Sequence, residues 1–110
     1  MKTEVIKNYL LITPNEELFV DFYTAFKEGY SELKGKHLLL DLLKWNAITT
    51  EQLLLFLEIA NEHQKNNTSF IIINAAVNID NVPETLNIAP TLLEAEDILE
   101  MEAIQRELGF

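Results

Sequence analysis

Asp41 lies near the end of an apolar run that begins at His37, where a lone carboxylate could serve as a catalytic base or a phosphoacceptor. A phosphoacceptor of the response-regulator type would also need an acidic pair after the first strand, and Ile12-Thr13-Pro14 supplies none. An unpaired buried carboxylate is costly, so Asp41 needs hydrogen-bond partners. We therefore interpret Asp41 as a structural acid that accepts hydrogen bonds from amides of the following loop.

The other candidate chemical groups are scattered. His37 and His63 are distant in sequence and neither stands at metal-ligand spacing, which favours structural roles. Glu96 and Glu100 could hold a cation, but a solvated acidic face is the commoner arrangement. The chain has no cysteine, three glycines and no Ser-His-Asp spacing, so nucleophilic and phosphate-loop chemistry lack support. We expect no enzymatic activity, catalytic residue, metal site or cofactor.

One unit, Lys36 to Leu57, positions Asp41 and the polar residues that follow it. The run from His37 to Leu43 is typical of a central strand that is buried on both faces. The segment Lys44–Ile48 is predicted to be a loop. Thr49 and Gln52 then have the spacing of a capping box, which predicts the start of a helix that runs to about Gln64.

The rest of the chain alternates between strand and helix patterns. We expect a hairpin around Asn8, a helix from about Glu16 to Leu33, a central strand in Ser69–Val77 and a final helix opened by Thr91. The predicted inner stripe of that last helix is Ile98, Met101, Ile104 and Leu108. This order predicts one α/β domain over residues 1–110, with a mixed four- or five-stranded sheet flanked by helices.

Charge and hydropathy narrow the function classes. The net charge is −10, and from Asp80 onward eight acids face one base, Arg106, which accounts for −7 of it. An acidic chain repels nucleic acid and anionic membrane, so neither is an expected partner. The apolar runs are too short to span a bilayer, and Met1–Val5 lacks the features of a signal peptide. We expect a cytoplasmic protein.

The segment Leu38-Leu39-Leu40-Asp41-Leu42, a short loop and Ile48-Thr49-Thr50-Glu51-Gln52-Leu53 together resemble the STAS domain family, which includes bacterial anti-sigma-factor antagonists. Asp41 matches the acid at the end of the family's strand, while Ile48 and Leu53 match the apolar residues that flank its Asp-Ser-Ser-Gly motif. The resemblance implies a STAS-like fold and a non-enzymatic module that binds and regulates other proteins.

The motif itself departs from the family pattern. Thr49–Gln52 replaces Asp-Ser-Ser-Gly, and Glu51 stands where phosphoregulated members carry the modified serine or threonine. A carboxylate there would either mimic the phosphorylated state or mark a lost switch, and Thr50 is the nearest alternative hydroxyl. The tail Ala89–Met101 is similar to short STAS-like proteins of Bacteroidota, some of which are labelled ribonuclease Z. The chain lacks that enzyme's metal-binding motif, His-x-His-x-Asp-His.

We predict that the loop and the helix start bind a protein partner. The candidate partner-binding residues are Trp45, Asn46, Thr49, Thr50, Glu51 and Leu55. Leu55 shares a helix face with Glu51 and Glu58, so it is expected to be exposed unless the first or final helix covers it. The alternatives are a carrier of a small apolar ligand, an accessory factor of an RNA-processing enzyme, and a homodimer joined through this helix.

Overall fold

A computed structural model describes residues 1–109 as a five-stranded sheet with helices on both faces. The strands are β1 (Lys2–Ile6), β2 (Tyr9–Thr13), β3 (Leu38–Asp41), β4 (Phe70–Ile73) and β5 (Asn87–Ala89). The helices are α1 (Phe19–Leu33), α2 (Thr50–Leu54), α3 (Leu57–Lys65) and α4 (Leu92–Glu107), and a 3-10 turn covers Ile79–Asn81. The predicted α/β class and mixed sheet are confirmed.

The strands follow one another across the sheet in chain order, from β1 to β5. β1 and β2 form the antiparallel hairpin expected around Asn8, and Lys7 in its turn has a positive φ of 51°. The pairs β2–β3, β3–β4 and β4–β5 are parallel. β3 and β4 have neighbours on both sides and helices over both faces, which explains why their apolar side chains are almost completely buried.

The two faces of the sheet have separate cores. On one face, aromatic residues of α1 pack with Leu53 of α2 and with Phe56, which fits between α2 and α3. On the other face α4 is alone, and it places Ala95 and Leu99 against Tyr9, Ile71 and neighbouring strand residues. The candidate residues at the start of α2 and the outer side of α4 therefore belong to opposite faces of the sheet.

The helix predicted from Thr49 to Gln64 is interrupted. The amides of Leu55 and Phe56 donate to the carbonyls of Gln52 and Leu53, three residues back, which tightens the backbone between α2 and α3. The Phe56 ring is fully buried and contacts Phe19 and other rings of the first core, with centroids about 6 Å apart. The break therefore coincides with the point where Phe56 packs into the core.

The predicted start of α1 and the predicted inner face of α4 are wrong. α1 begins at Phe19 rather than Glu16, because Glu16 turns toward the amino terminus and accepts a 2.6 Å hydrogen bond from the Met1 ammonium. In α4, Ala95 and Leu99 face the sheet, whereas Met101, Ile104 and Leu108 are exposed. Ile98 alone of the predicted inner stripe packs against the core, where it is half-buried.

Candidate protein-interaction surface

The candidate surface is a corner where β3 leads through residues 42–48 into α2. At the end of β3, Oδ1 of Asp41 accepts a hydrogen bond from the amide of Leu43 at 3.1 Å. Asp41 is half-buried and pairs with Ile73 of β4 in the parallel sheet. This geometry suits the structural role that we expected for Asp41, since its carboxylate holds the first turn of the loop.

Asn74, which follows β4, anchors the loop through hydrogen bonds to its backbone. It is buried, and its Nδ2 donates to the carbonyl oxygens of Leu42 and Trp45, each at 3.0 Å. Its Oδ1 accepts from the amide of Ala76 at 3.0 Å. The sequence analysis missed this residue, and the only available signal was a polar amide directly after a buried apolar strand.

Trp45 holds the same loop against the segment that precedes α1. Its indole Nε1 donates to the Glu17 carbonyl at 3.2 Å, and its ring centroid lies 5.6 Å from those of both Phe19 and Phe22. Next to it, Nζ of Lys44 donates to the Glu16 carbonyl at 2.7 Å. Trp45 is therefore half-buried, and it anchors the loop as well as contributing to its surface.

The predicted capping box at the start of α2 is confirmed. The amide of Gln52 donates to Oγ1 of Thr49 at 3.1 Å, and the amide of Thr49 donates to Oε1 of Gln52 at 3.0 Å. Two backbone amides that the helix leaves unpaired are thus satisfied. The Thr49 hydroxyl oxygen serves the cap, Thr50 is half-buried and Glu51 is exposed.

Exposed apolar side chains precede and follow this polar helix start in the chain. Leu55 is 46% exposed, and Leu43, Leu54 and Leu18 are also exposed. The Tyr23 hydroxyl donates to the Leu55 carbonyl at 3.3 Å, which ties the end of α2 to α1. We call the following eight residues the corner surface: Leu43, Trp45, Asn46, Thr49, Thr50, Glu51, Leu54 and Leu55. Asn46, Thr49, Glu51 and Leu55 are exposed in it, whereas Trp45 and Thr50 are partly covered.

The two histidines have structural surroundings. His63 is buried, its Nδ1 lies 2.7 Å from Oγ1 of Thr68, and its ring stacks on Phe70 at 5.4 Å. His37 accepts a hydrogen bond from the Ser69 amide at Nδ1, over 2.9 Å. Burial lowers the pKa of both imidazoles, so both favour the neutral form.

A polar network that the sequence analysis did not predict lies at the other end of the parallel strands. The carboxylate of Glu102 accepts from Ser69 Oγ at 2.6 Å and from Asn87 Nδ2 at 2.9 Å, and Arg106 donates to Ser69 Oγ at 2.7 Å. It borders a cleft of about 380 Å³ that is also lined by Gln64, Asn67 and Thr85. Because Ser69 bonds both Glu102 and Arg106, we interpret this network as structural.

Residues 1–109 show neither a metal-binding cluster nor a membrane-spanning helix. No group of three or more His, Cys, Asp or Glu side chains in this range is arranged to hold a metal ion. None of the helices described in this range is long and apolar enough to cross a membrane.

The sequence matches no protein-family model and no curated protein. Among solved structures it is similar to a chain of the structure described as "Molecular architecture of the stressosome, a signal integration and transduction hub". The two chains are 17% identical with a TM-score of 0.57, and the match covers 93% of this chain and 98% of the other. At this identity the likeness concerns the fold alone, and the fold of the chain is STAS-like.

Proposed function

We propose that this chain is a non-enzymatic regulatory module that binds another protein through the corner surface. The observation that carries the proposal is that this corner is firmly anchored from inside and left uncovered outside. Leu55 and Glu51 remain exposed, with no other described segment of the chain packed over them. A protein partner would bury both the leucine side chains and the polar residues beside them.

Anchoring matters because a loop that is already ordered loses little conformational entropy on binding. Asn74 bonds two loop carbonyls, and Trp45 packs on α1. The capping box fixes the start of α2. The corner is therefore preorganised for recognition.

The composition of the corner surface fits a protein rather than a small polar molecule. Leu43, Leu54 and Leu55 provide exposed apolar area, and Asn46 and Glu51 are exposed polar residues of the same surface. Protein interfaces usually bury apolar and polar side chains together. Glu51 adds a negative charge that a partner can meet with lysine or arginine.

In this proposal Glu51 supplies a permanent negative charge at the place where STAS-like antagonists of anti-sigma factors carry the phosphorylated residue. A glutamate side chain offers no hydroxyl, so a kinase could not switch this position. Thr49 already uses its hydroxyl oxygen in the cap, and Thr50 is partly covered. The module would thus bind its partner without reversible phosphorylation here.

The structural neighbour lends support, since its description names a signal integration and transduction hub. A module that binds another protein through the corner surface would suit a role in signal transduction. Together with the resemblance to bacterial antagonists of anti-sigma factors, this supports our proposal that the module acts in the cytoplasm of a bacterial cell.

The alternatives have weaker support. The 380 Å³ cleft is lined largely by polar side chains and suits an apolar ligand poorly. A homodimer through α2 and α3 would bring Glu51, Glu58 and Glu62 toward the same residues of the second copy, which is unfavourable. The role as accessory factor of an RNA-processing enzyme rests on the resemblance of Ala89–Met101 to Bacteroidota proteins labelled ribonuclease Z.

Quantitative affinity capture from the native cell tests the proposal. We expect a defined set of proteins to bind the wild-type chain and to be lost with Glu51→Lys and with Leu55→Ser. Glu28→Lys is the matched control, because Glu28 is an exposed acid on α1 outside the corner and the change in net charge is the same. Identical sets for all four proteins, at equal melting temperatures, would refute the proposal.

A further inference from the structure

The outer side of α4 carries a second exposed apolar surface. Leu93, Met101, Ile104 and Leu108 are 69%, 59%, 55% and 66% exposed. With Asp97 they follow one another every three or four residues, so all five share one face of the helix. We call these five residues the α4 stripe, and it extends over about 22 Å of helix.

Folding leaves this stripe without an intramolecular partner within residues 1–109. The opposite side of α4 already packs on the sheet through Ala95 and Leu99, whose side chains are almost fully buried. A helix that packs on a sheet with one side needs apolar residues on that side only. A second apolar side made of large exposed residues is typical of an interaction surface.

Acidic residues on and beside the stripe indicate what can cover it. Glu94, Asp97, Glu100 and Glu107 are exposed, and none is within ion-pairing distance of a cation in the described part of the chain. The other two acids of α4 are engaged inward: Glu96 accepts from the Tyr9 hydroxyl, and Glu102 belongs to the network around Ser69. The four exposed carboxylates thus remain available to a partner.

These negative charges limit which kind of partner can cover the α4 stripe. A second copy packed face to face would set four carboxylates against four, and like charges across an interface cost several kcal/mol. An anionic membrane surface would be repelled for the same reason. A segment with its own apolar stripe and with lysine or arginine beside it would satisfy both the apolar and the charged requirement.

We propose that the α4 stripe binds a basic amphipathic helix of a partner protein. Such a helix would lie along α4, with apolar side chains between Leu93 and Leu108 and a cation opposite Asp97. Binding an amphipathic helix through its apolar face is a common mode of peptide recognition. This surface lies on the other face of the sheet from the corner surface, so the inference does not depend on the function proposed above.

Fluorescence anisotropy with two labelled model peptides tests the proposal. Both are helical peptides of about 16 residues, long enough to match the stripe. Both carry leucines at three- and four-residue spacing; one has lysine and the other glutamate at the remaining charged positions. The chain is expected to bind the lysine peptide, more weakly as salt rises from about 50 to 500 mM, and not the glutamate peptide.

Three variants place the binding on the stripe. The double variant Met101→Ser with Ile104→Ser should weaken binding of the lysine peptide by about tenfold for each side chain removed. Asp97→Lys should weaken it by about tenfold at low salt and less at high salt. Glu28→Lys makes the same change in net charge on α1, across the sheet, and should alter the affinity less than about twofold. All replaced side chains are exposed, so circular dichroism should show unchanged folding.

Four outcomes would overturn the proposal. They are equal binding of the two peptides, binding that the double variant does not weaken, and equal effects of Asp97→Lys and Glu28→Lys. The fourth is occupancy by something else: self-association in sedimentation experiments that Ile104→Ser abolishes, or binding to phosphatidylglycerol vesicles. None of these results would contradict the function proposed for the corner surface, because the affinity-capture experiment tests that function independently.

Discussion

Replacing Asn74 by alanine should destabilise the chain and loosen the corner surface. The side chain makes three hydrogen bonds of 3.0 Å, two as donor to the carbonyls of Leu42 and Trp45 and one as acceptor from the Ala76 amide. Each such bond contributes about 0.5–1.5 kcal/mol, and a backbone group left unpaired adds to the loss. We expect the free energy of unfolding to fall by about 2–4 kcal/mol.

Urea denaturation followed by tryptophan fluorescence measures this loss, because Trp45 is the only tryptophan and lies in the affected loop. The midpoint should fall while the slope of the transition stays constant. Asn46→Ala is the matched control, since Asn46 is exposed in the same loop and its loss should change stability by less than about 0.5 kcal/mol. A loss for Asn74→Ala no greater than for the control would refute the anchoring role.

Three further perturbations have definite expected outcomes. Thr49→Ala should lower the free energy of unfolding by about 1 kcal/mol through loss of the helix cap, and Thr49→Ser should restore most of it. Phe56→Ala should cost about 3–5 kcal/mol, because it leaves a cavity in the aromatic core where α2 and α3 meet. Both losses can be read from urea denaturation, and a Phe56→Ala protein as stable as the wild type would contradict the buried packing of this ring. Stability should also fall as the pH drops below about 6.5, because burial lowers the pKa of His63 and the folded state then binds fewer protons than the unfolded state. His63→Gln should reduce this fall between pH 7.5 and 5.5 in the same assay, and an unchanged pH profile would argue against the assignment.

The central strands and the α2 cap could be predicted because their determinants are local in sequence. A continuous apolar run such as Phe70–Ile73 has few places in a small α/β domain other than the middle of the sheet. A capping box needs only Thr49 and Gln52, three residues apart. Both features depend on neighbours in the chain, which the sequence displays directly.

Which side of α4 faces the sheet depends on contacts between residues that are far apart in sequence, and the sequence does not display such contacts. Two sets of residues on this helix have helical spacing, one centred on Ala95 and Leu99 and the other on Met101 and Ile104. Hydropathy favours the second set, yet the first faces the sheet. The small side chain of Ala95 allows the helix to lie close to the strands. Next to it, the carboxylate of Glu96 accepts a hydrogen bond from the hydroxyl of Tyr9, which is distant in sequence. The same reasoning applies to Asn74, whose partners lie 29 and 32 residues away.

The two proposed surfaces have a consequence when they are considered together. The corner surface belongs to the face covered by α1, α2 and α3, and the α4 stripe points away from the other face. A sheet with a helix on each side separates these surfaces by roughly 20 Å, since each helix–sheet spacing is about 10 Å. One partner helix on Met101–Leu108 should therefore not compete with a protein held at Glu51 and Leu55. Addition of the lysine peptide at saturation should leave the captured partner set of the corner surface unchanged. Displacement of those partners by the peptide would mean that both ligands share one site, and it would remove the assignment of a separate role to α4.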